Sequence, residues 1–118
     1  EEAVESLIVP GVHGHMGILV DHAPMVVSLR AGVVKYRQAG EFHPMAVSGG
    51  FMEVSDNRAT ILADAAERAG EIDVLRAREA RRRAERRLAS REEGVDYARA
   101  RAALERAVAR LKAAGEAD

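Results

Sequence analysis

The 118-residue sequence has no cysteine and no tryptophan, and aromatic residues make up only 3% of it. Without cysteine there is no disulfide stapling and no thiolate chemistry, which fits a reducing compartment. With so few aromatics, the core has to be aliphatic and modest. No apolar run approaches the ~20 residues that a helical membrane span requires. The opening EEAVESLIVPG lacks the basic segment and apolar core of a signal peptide, and reads instead like the middle of a strand. Lysine is nearly absent as well: Lys35 and Lys112 stand alone, so arginine carries almost all the positive charge.

What is present bounds the class. A hydrophobic fraction of 47% excludes a disordered chain, although much of it is alanine. The length suits one domain, or a small domain with an appendage. A formal net charge of −1 conceals an asymmetry. Glu1–Ala66 holds four basic and eight acidic residues, whereas Glu67–Asp118 holds fourteen and eleven, giving −4 and +3. Halves of opposite sign suggest different partners. The positive half is still rich in Glu, and a mixed-charge face argues poorly for a nucleic-acid surface.

The first half reads as β structure. SLIVPG (Ser6–Gly11) is a short apolar run stopped by Pro10-Gly11, and Ile18–Val20 is another, followed by a turn at Pro24. Ala31-Gly32 divides two Val-rich strand candidates. Further turns are expected at Gln38–Glu41, Ser48-Gly49-Gly50 and Ser55–Arg58. Short strands with frequent turns indicate an antiparallel sandwich or barrel.

The second half reads as two helices. From Asp73 to Ala89 there is no Pro or Gly, and Ala, Arg, Glu and Leu dominate. Ala77, Ala80, Ala84 and Leu88 form one narrow stripe of mostly small residues. Ser90–Asp96 is the break, with Gly94 the loop residue and Asp96 an N-cap. A second helix to about Ala113 carries Tyr97, Ala100, Leu104, Val108 and Leu111 on one stripe. Two such helices joined by a short polar loop make an antiparallel hairpin. Alanine buries little area, at ~0.8 kcal/mol per CH₂, so the hairpin is held weakly. Periodicity alone leaves two readings open, a mobile element or an ordinary hairpin docked permanently on the sheet.

Three stretches carry a resemblance to a known family: GHMGILVDHAPM (Gly14–Met25), AVSGGFMEVSDNRATILADAAERA (Ala46–Ala69) and EIDVLRA (Glu71–Ala77). Together with the order of the pieces, they resemble the ε subunit of rotary F-type ATP synthases over essentially the whole chain. That family reads G-E-L-G-I-L-P-G-H-x-P-L, then A-V-S-G-G-F-x-E-V, then I/L-D-x-x-R-A. Here His15 replaces the usual Glu, and Val20-Asp21 replace Pro-Gly. The family's chain also begins with about one more hairpin bearing a V-V-T-P-like stretch, absent here, so the resemblance implies an N-terminally incomplete sandwich.

The resemblance implies an α+β fold, with an antiparallel β-sandwich over residues 1–69 and a two-helix hairpin over 70–118, hinged at Gly70. It implies a non-catalytic rotor-stalk subunit at the cytoplasmic face of a bacterial plasma membrane, in contact with the membrane only through the complex. The sandwich would bind γ and the c-ring. The hairpin would lie folded, or extend toward the α and β subunits and block ATP hydrolysis. In some bacterial members the folded hairpin binds ATP, so ATP is a possible regulatory ligand and no cofactor is required.

Carried over residue by residue, the family's ATP-binding pattern falls on Glu67, Ile72, Asp73, Arg76, Ala77, Arg83, Arg106 and Arg110. Glu67, Ile72 and Asp73 would meet adenine and ribose, and the four arginines the phosphates. The chemistry suits the residue types. In an antiparallel hairpin Arg106 and Arg110, at i and i+4, can face the start of the first helix. Converging guanidiniums repel one another unless an anion neutralises them, and phosphate oxygens match their planar fork. No Gly-rich phosphate loop or paired carboxylates accompany them, so ATP would be bound without hydrolysis. From the residues alone, Asp73 reads first as a helix N-cap with Arg76 as surface partner, worth ~0.2–0.5 kcal/mol. Arg78, Arg81, Arg82, Arg86, Arg87, Arg91 and Arg101 read as solvated, paired with Glu79, Glu85 and Glu105.

The His13-Gly14-His15 stretch offers alternate histidines on a strand but no third ligand at a fixed spacing, and no metal site is expected. His22 matches the family's loop histidine and reads as structural. An Arg-rich nucleic-acid-binding accessory protein and a sandwich enzyme are the alternatives; neither explains Ala46–Ala69.

Overall fold

In a computed structural model, residues 6–19, 24–55 and 58–116 are described. Strands β1 (Ser6–Gly11), β2 (Gly14–Leu19), β3 (Met25–Gln38), β4 (Glu41–Ser55), β5 (Arg58–Leu62) and β6 (Ala66–Arg68) come first. A 3₁₀ turn over Ala69–Glu71 then leads to helices α1 (Val74–Ala89) and α2 (Tyr97–Ala113). All pairings are antiparallel, in the order β2-β1-β3-β4-β5, with β6 on the same side of the N-terminal half of β4 that β5 occupies on its C-terminal half. The expected sandwich followed by a helical hairpin is the fold observed.

Two of the expected turns are not turns. Ala31-Gly32 and Ser48-Gly49-Gly50 lie inside the continuous strands β3 and β4, and they sit opposite each other: Ala31 pairs with Ser48, Gly32 with Val47 and Leu29 with Gly50. The ladder is interrupted only at the level of Arg30 and Gly49. There the inward-facing set changes parity, from Val27 and Leu29 to Val34 on β3, and from Val47 to Met52 and Val54 on β4. In a regular strand successive side chains alternate strictly, so the change marks a sharp local coil of the pleat. Gly49 and Gly50 supply it with φ of +106° and +125°. Both ends of the β3–β4 ribbon can then contribute to one core with Leu7, Val9 and Ile18, and the sheet folds over that core. The breaker residues of both strands thus mark a fold in the sheet, not chain reversals.

The true reversal is at Ala39-Gly40, with φ of 54° and 79°, the two positive values of a type I′ hairpin turn. This falls within the expected Gln38–Glu41. Strand β1 ends with Pro10-Gly11, as expected, and the chain turns at Val12-His13. Its ladder to β3 shifts register between Ile8 and Gly11, where proline has no N–H to give. The turn expected at Ser55–Arg58 is bracketed by the Ser55–Arg58 pair. Asp56 and Asn57, like Val20, Asp21 and His22, lie outside the described residues.

The helices begin where the sequence places their caps. The Asp73 carboxylate accepts from Arg76 N at 3.1 Å, and Asp96 from Arg99 N at 3.0 Å. Helix α2 packs on β3 and β4, while α1 packs chiefly on α2. The expected α1 stripe is where burial falls, with Ala77 and Ala84 buried and Ala80 and Leu88 partly so. On α2 the single stripe is too narrow. Ala100 and Leu111 are buried as expected, but so are Ala107, Ala109 and Ala113, and Tyr97 is exposed. Helix α2 lies between α1 and the sheet, so it buries two faces; small side chains on both let it approach each closely.

Candidate functional site: an arginine-lined cleft between hairpin and sheet

The site begins at β6. Its pairing with β4 sets Glu67 opposite Ala46, on the strand face over which α2 runs. The Glu67 carboxylate meets Arg110: Nε lies 2.8 Å from Oε1, and Nη2 donates to Oε2 at 3.5 Å. The Nε–H is not aimed at that oxygen and makes no hydrogen bond. This ion pair ties the sandwich to the hairpin.

Around it is a cleft of about 340 Å³. Its sheet wall includes Ala46, Val47, Ser48 and Ala65, and its helix floor Ala80, Ala84, Ala103 and Ala107. Four guanidiniums border it: Arg83 and Arg87 from α1, Arg106 and Arg110 from α2. Each pair is at i and i+4, and each therefore lies on one face of its helix. Four positive charges face a single carboxylate, Glu67, and the alanines between them leave space that longer side chains would fill. Such a surplus of planar cations in a concave, partly apolar setting is suited to a polyvalent anion.

Of the eight positions drawn from the family pattern, this cleft brings together Glu67, Arg83, Arg106 and Arg110. The other four are elsewhere. Ile72 is buried with Ala46 and Ala113, fastening the hairpin's root to the sheet. Ala77 is wholly buried on α1. Asp73 caps α1, and Arg76 is exposed beside it. Arg106 and Arg110 accordingly face the middle and end of α1, with Ala80, Arg83, Ala84 and Arg87, not its first turn. The expected hinge residue, Gly70, lies in the 3₁₀ turn with no positive φ, and a Cβ there would meet nothing within 4 Å. Its local conformation does not demand glycine.

Arg87, expected to be solvated, is exposed and also borders the cleft. Arg83/Arg87 on α1 repeats the i, i+4 spacing of Arg106/Arg110 on α2, but so do Arg78/Arg82 and Arg82/Arg86, so spacing alone does not single Arg87 out. Outside the cleft, Arg81 pairs with Glu85 at 3.7 Å, and Arg78 pairs with Glu116 near the chain's end. His13 lies in the β1–β2 turn and His15 in β2, so they are not alternate residues of one strand. Among the described residues no group of three or more His, Cys, Asp or Glu comes together.

Comparison with known proteins gives this architecture a family. Residues 1–69 match the family model described as ATP synthase, Delta/Epsilon chain, beta-sandwich domain, and residues 71–115 match the corresponding long alpha-helix domain. The chain belongs to the ATP synthase delta/epsilon family. It is 58% identical over 114 residues to the ATP synthase epsilon chain of Symbiobacterium thermophilum, covering 97% of this chain and 82% of that one. It is 57% identical over 111 residues to the epsilon chain of Moorella thermoacetica, covering 93% and 83%. Its fold matches a chain in a cryo-EM structure of the Euglena gracilis mitochondrial ATP synthase, OSCP/F1/c-ring, with TM-score 0.79 and 28% identity, covering 98% of this chain and 72% of that one. As an epsilon chain it is a subunit of the F-type ATP synthase complex. No helix among the described residues is long and apolar enough to cross a membrane.

The role of Asp73 is open to a direct measurement. Asp73→Ala should cost about 1 kcal/mol of stability through the lost cap, and Asp73→Asn, which also caps, much less. If the carboxylate serves only the helix, both variants keep whatever nucleotide affinity the parent has. Thermal melts paired with calorimetric titration separate the two roles.

Proposed function

We propose that this epsilon chain is a non-catalytic subunit of the rotor stalk on the cytoplasmic side of the membrane. In this reading it joins γ to the c-ring and restrains ATP hydrolysis through its hairpin, with ATP as the regulatory ligand of the folded form. The observation that carries the ligand is the cleft with four arginines facing one carboxylate, built jointly by sandwich and hairpin. A triphosphate bound there would touch both helices, with Ala46–Ser48 of the sheet beside it. It would therefore favour the folded hairpin by as much as it prefers that state over the extended one. The one carboxylate lining the cleft, Glu67, is held by Arg110, and among the described residues no second carboxylate stands beside it to form a metal-holding pair, which supports a sensing role over turnover. Calorimetry of the purified chain with ATP tests the ligand; no heat of binding up to millimolar ATP would sink it.

The hairpin's attachment supports the inhibitory role. Its contacts with the sheet include alanines, Ile72 packed near Val33, and the Glu67–Arg110 pair, which must part when it extends. Removing residues 70–118 is expected to leave assembly intact and to raise ATP hydrolysis by the reconstituted complex. Unchanged hydrolysis would refute the restraint.

A face for the rotor partners is also suggested. Val26, Phe51 and Leu62 are exposed at 70%, 55% and 63%. Phe51 pairs with Leu62 and with Ser28, whose strand neighbour on the same face is Val26. Three neighbouring apolar side chains on an outer sheet face mark an interaction surface better than scattered ones would. Phe51→Glu is expected to leave the fold unchanged and to weaken assembly with γ and the c-ring at least about tenfold, by loss of a central apolar anchor. Co-purification with wild-type stoichiometry would exclude this face.

A further inference from the structure

The arginine cleft occupies one flank of α2; a larger hollow, about 640 Å³, lies on the other. Its walls come from both units: Ile8, Pro10, Val33 and Phe42 from the sheet, Val108 and Ala109 from α2. Its rim is cationic, with Arg30 and Lys35 on β3 and Lys112 on α2, and His15 on β2 adds a titratable nitrogen. Glu105 is the one carboxylate lining it. Nothing in the nucleotide reading uses these residues. The volume is within the roughly 300–1,000 Å³ of small-molecule sites, which favour interfaces between structural units and pair apolar walls with a few polar groups.

We propose that this hollow binds a small amphipathic anion, a free single-chain carboxylate. Its apolar body would lie between Val33, Phe42 and Val108, and its head among Lys35, Lys112 and Arg30. Three observations converge on that class. The walls are apolar and include an exposed Phe42, which favours a hydrocarbon body over a sugar or base carrying many polar groups. The rim's charge is complementary to an anion and opposed to a cation. Lys35 stands on the sheet wall and Lys112 on the helix wall, so positive charge flanks the hollow from both units. Because α2 itself forms one wall, an occupant is lost or exposed when the hairpin leaves the sheet. It therefore binds the folded form selectively and holds it down, by linkage and independently of ATP.

The probe is decanoate, used well below its micelle concentration, on the whole chain. Saturable shifts are expected in the NMR signals of Val33, Phe42 and Val108, while Val26, Phe51 and Leu62 stay still. Decanol, with the same chain and no charge, should bind at least about tenfold more weakly, as should decanoate to Lys35→Glu or Lys112→Glu. Both lysines are exposed, so these variants fold, and far-ultraviolet dichroism checks it. Bound decanoate should also slow trypsin cleavage after the hairpin arginines. Equal affinity for decanol overturns the anion assignment, and shifts confined to the Val26–Phe51–Leu62 face overturn the site. Binding to anionic vesicles with no binding of monomeric decanoate overturns the free ligand in favour of a lipid surface, and binding without protection from trypsin overturns the clamp. ATP titrated alongside keeps this result separate from that of the arginine cleft.

Discussion

Replacing Arg106 and Arg110 together with alanine should reduce ATP affinity at least about a hundredfold, leaving calorimetry with no measurable heat in the micromolar range. Hydrogen bonds to charged groups are worth about 1.5–3 kcal/mol each, and tenfold in affinity corresponds to about 1.4 kcal/mol. Two lost guanidiniums therefore set that scale, although neighbours sharing one ligand do not add simply. The two residues are not equivalent. Arg110 is three-quarters buried and already holds Glu67, so its removal also strands a carboxylate between sheet and hairpin. Arg106 is exposed and lines the same cleft without an ion pair to the sheet in the described structure. Arg106→Ala alone should lower ATP affinity with little change in melting temperature, whereas Arg110→Ala should change both. If both single variants bind ATP like the parent, the cleft is not the phosphate site, whatever the parent's affinity.

The second large effect is on the fold itself. Gly50→Ala is expected to destabilise the chain by at least about 3 kcal/mol and to lower its melting temperature by about 10 °C or more. A Cβ at Gly50 would lie 2.0 Å from the carbonyl oxygen of Leu62 and 3.0 Å from the Cα of Ala63. Both obstacles are backbone, so no side-chain rotation relieves the clash. The residue also sits at φ +125°, a conformation that L side chains rarely adopt. Two independent penalties thus fall at the point where β4 coils and the end of β5 lies against it. Gly94→Ala serves as a control: it also has positive φ, but a Cβ there meets nothing within 4 Å. It should cost about 1 kcal/mol, in the helix loop only. A thermal melt of Gly50→Ala superimposing on the parent's would mean that the coil of β4 can be rebuilt without glycine.

The two caps, the helix ends and the Ala39-Gly40 reversal were legible because each depends on a few adjacent residues. Asp73 and Asp96 cap because their carboxylates reach N–H groups three residues on, an interaction local in sequence. The long-range features were not legible in that way. Ala31-Gly32 and Ser48-Gly49-Gly50 look like turns in any local window, and only their pairing across the ladder shows them to be one fold in a sheet. Likewise, it was the family resemblance that singled out Arg83, Arg106 and Arg110 as candidate phosphate contacts; residue type and spacing were only compatible with that role. Arg87, by its own neighbours, was indistinguishable from the solvated arginines around it. Which guanidiniums share a cleft depends on how α1 rotates against α2 and where Glu67 meets Arg110, 43 residues apart in the chain. The sequence by itself determined the two units, their order and the surplus of arginine on the second. Tertiary structure alone decided that Asp73, Arg76, Ile72 and Ala77 stand apart from that cleft and that α2 has a hollow on each flank. Packing of small side chains permits several helix rotations, and only the whole set of contacts selects one.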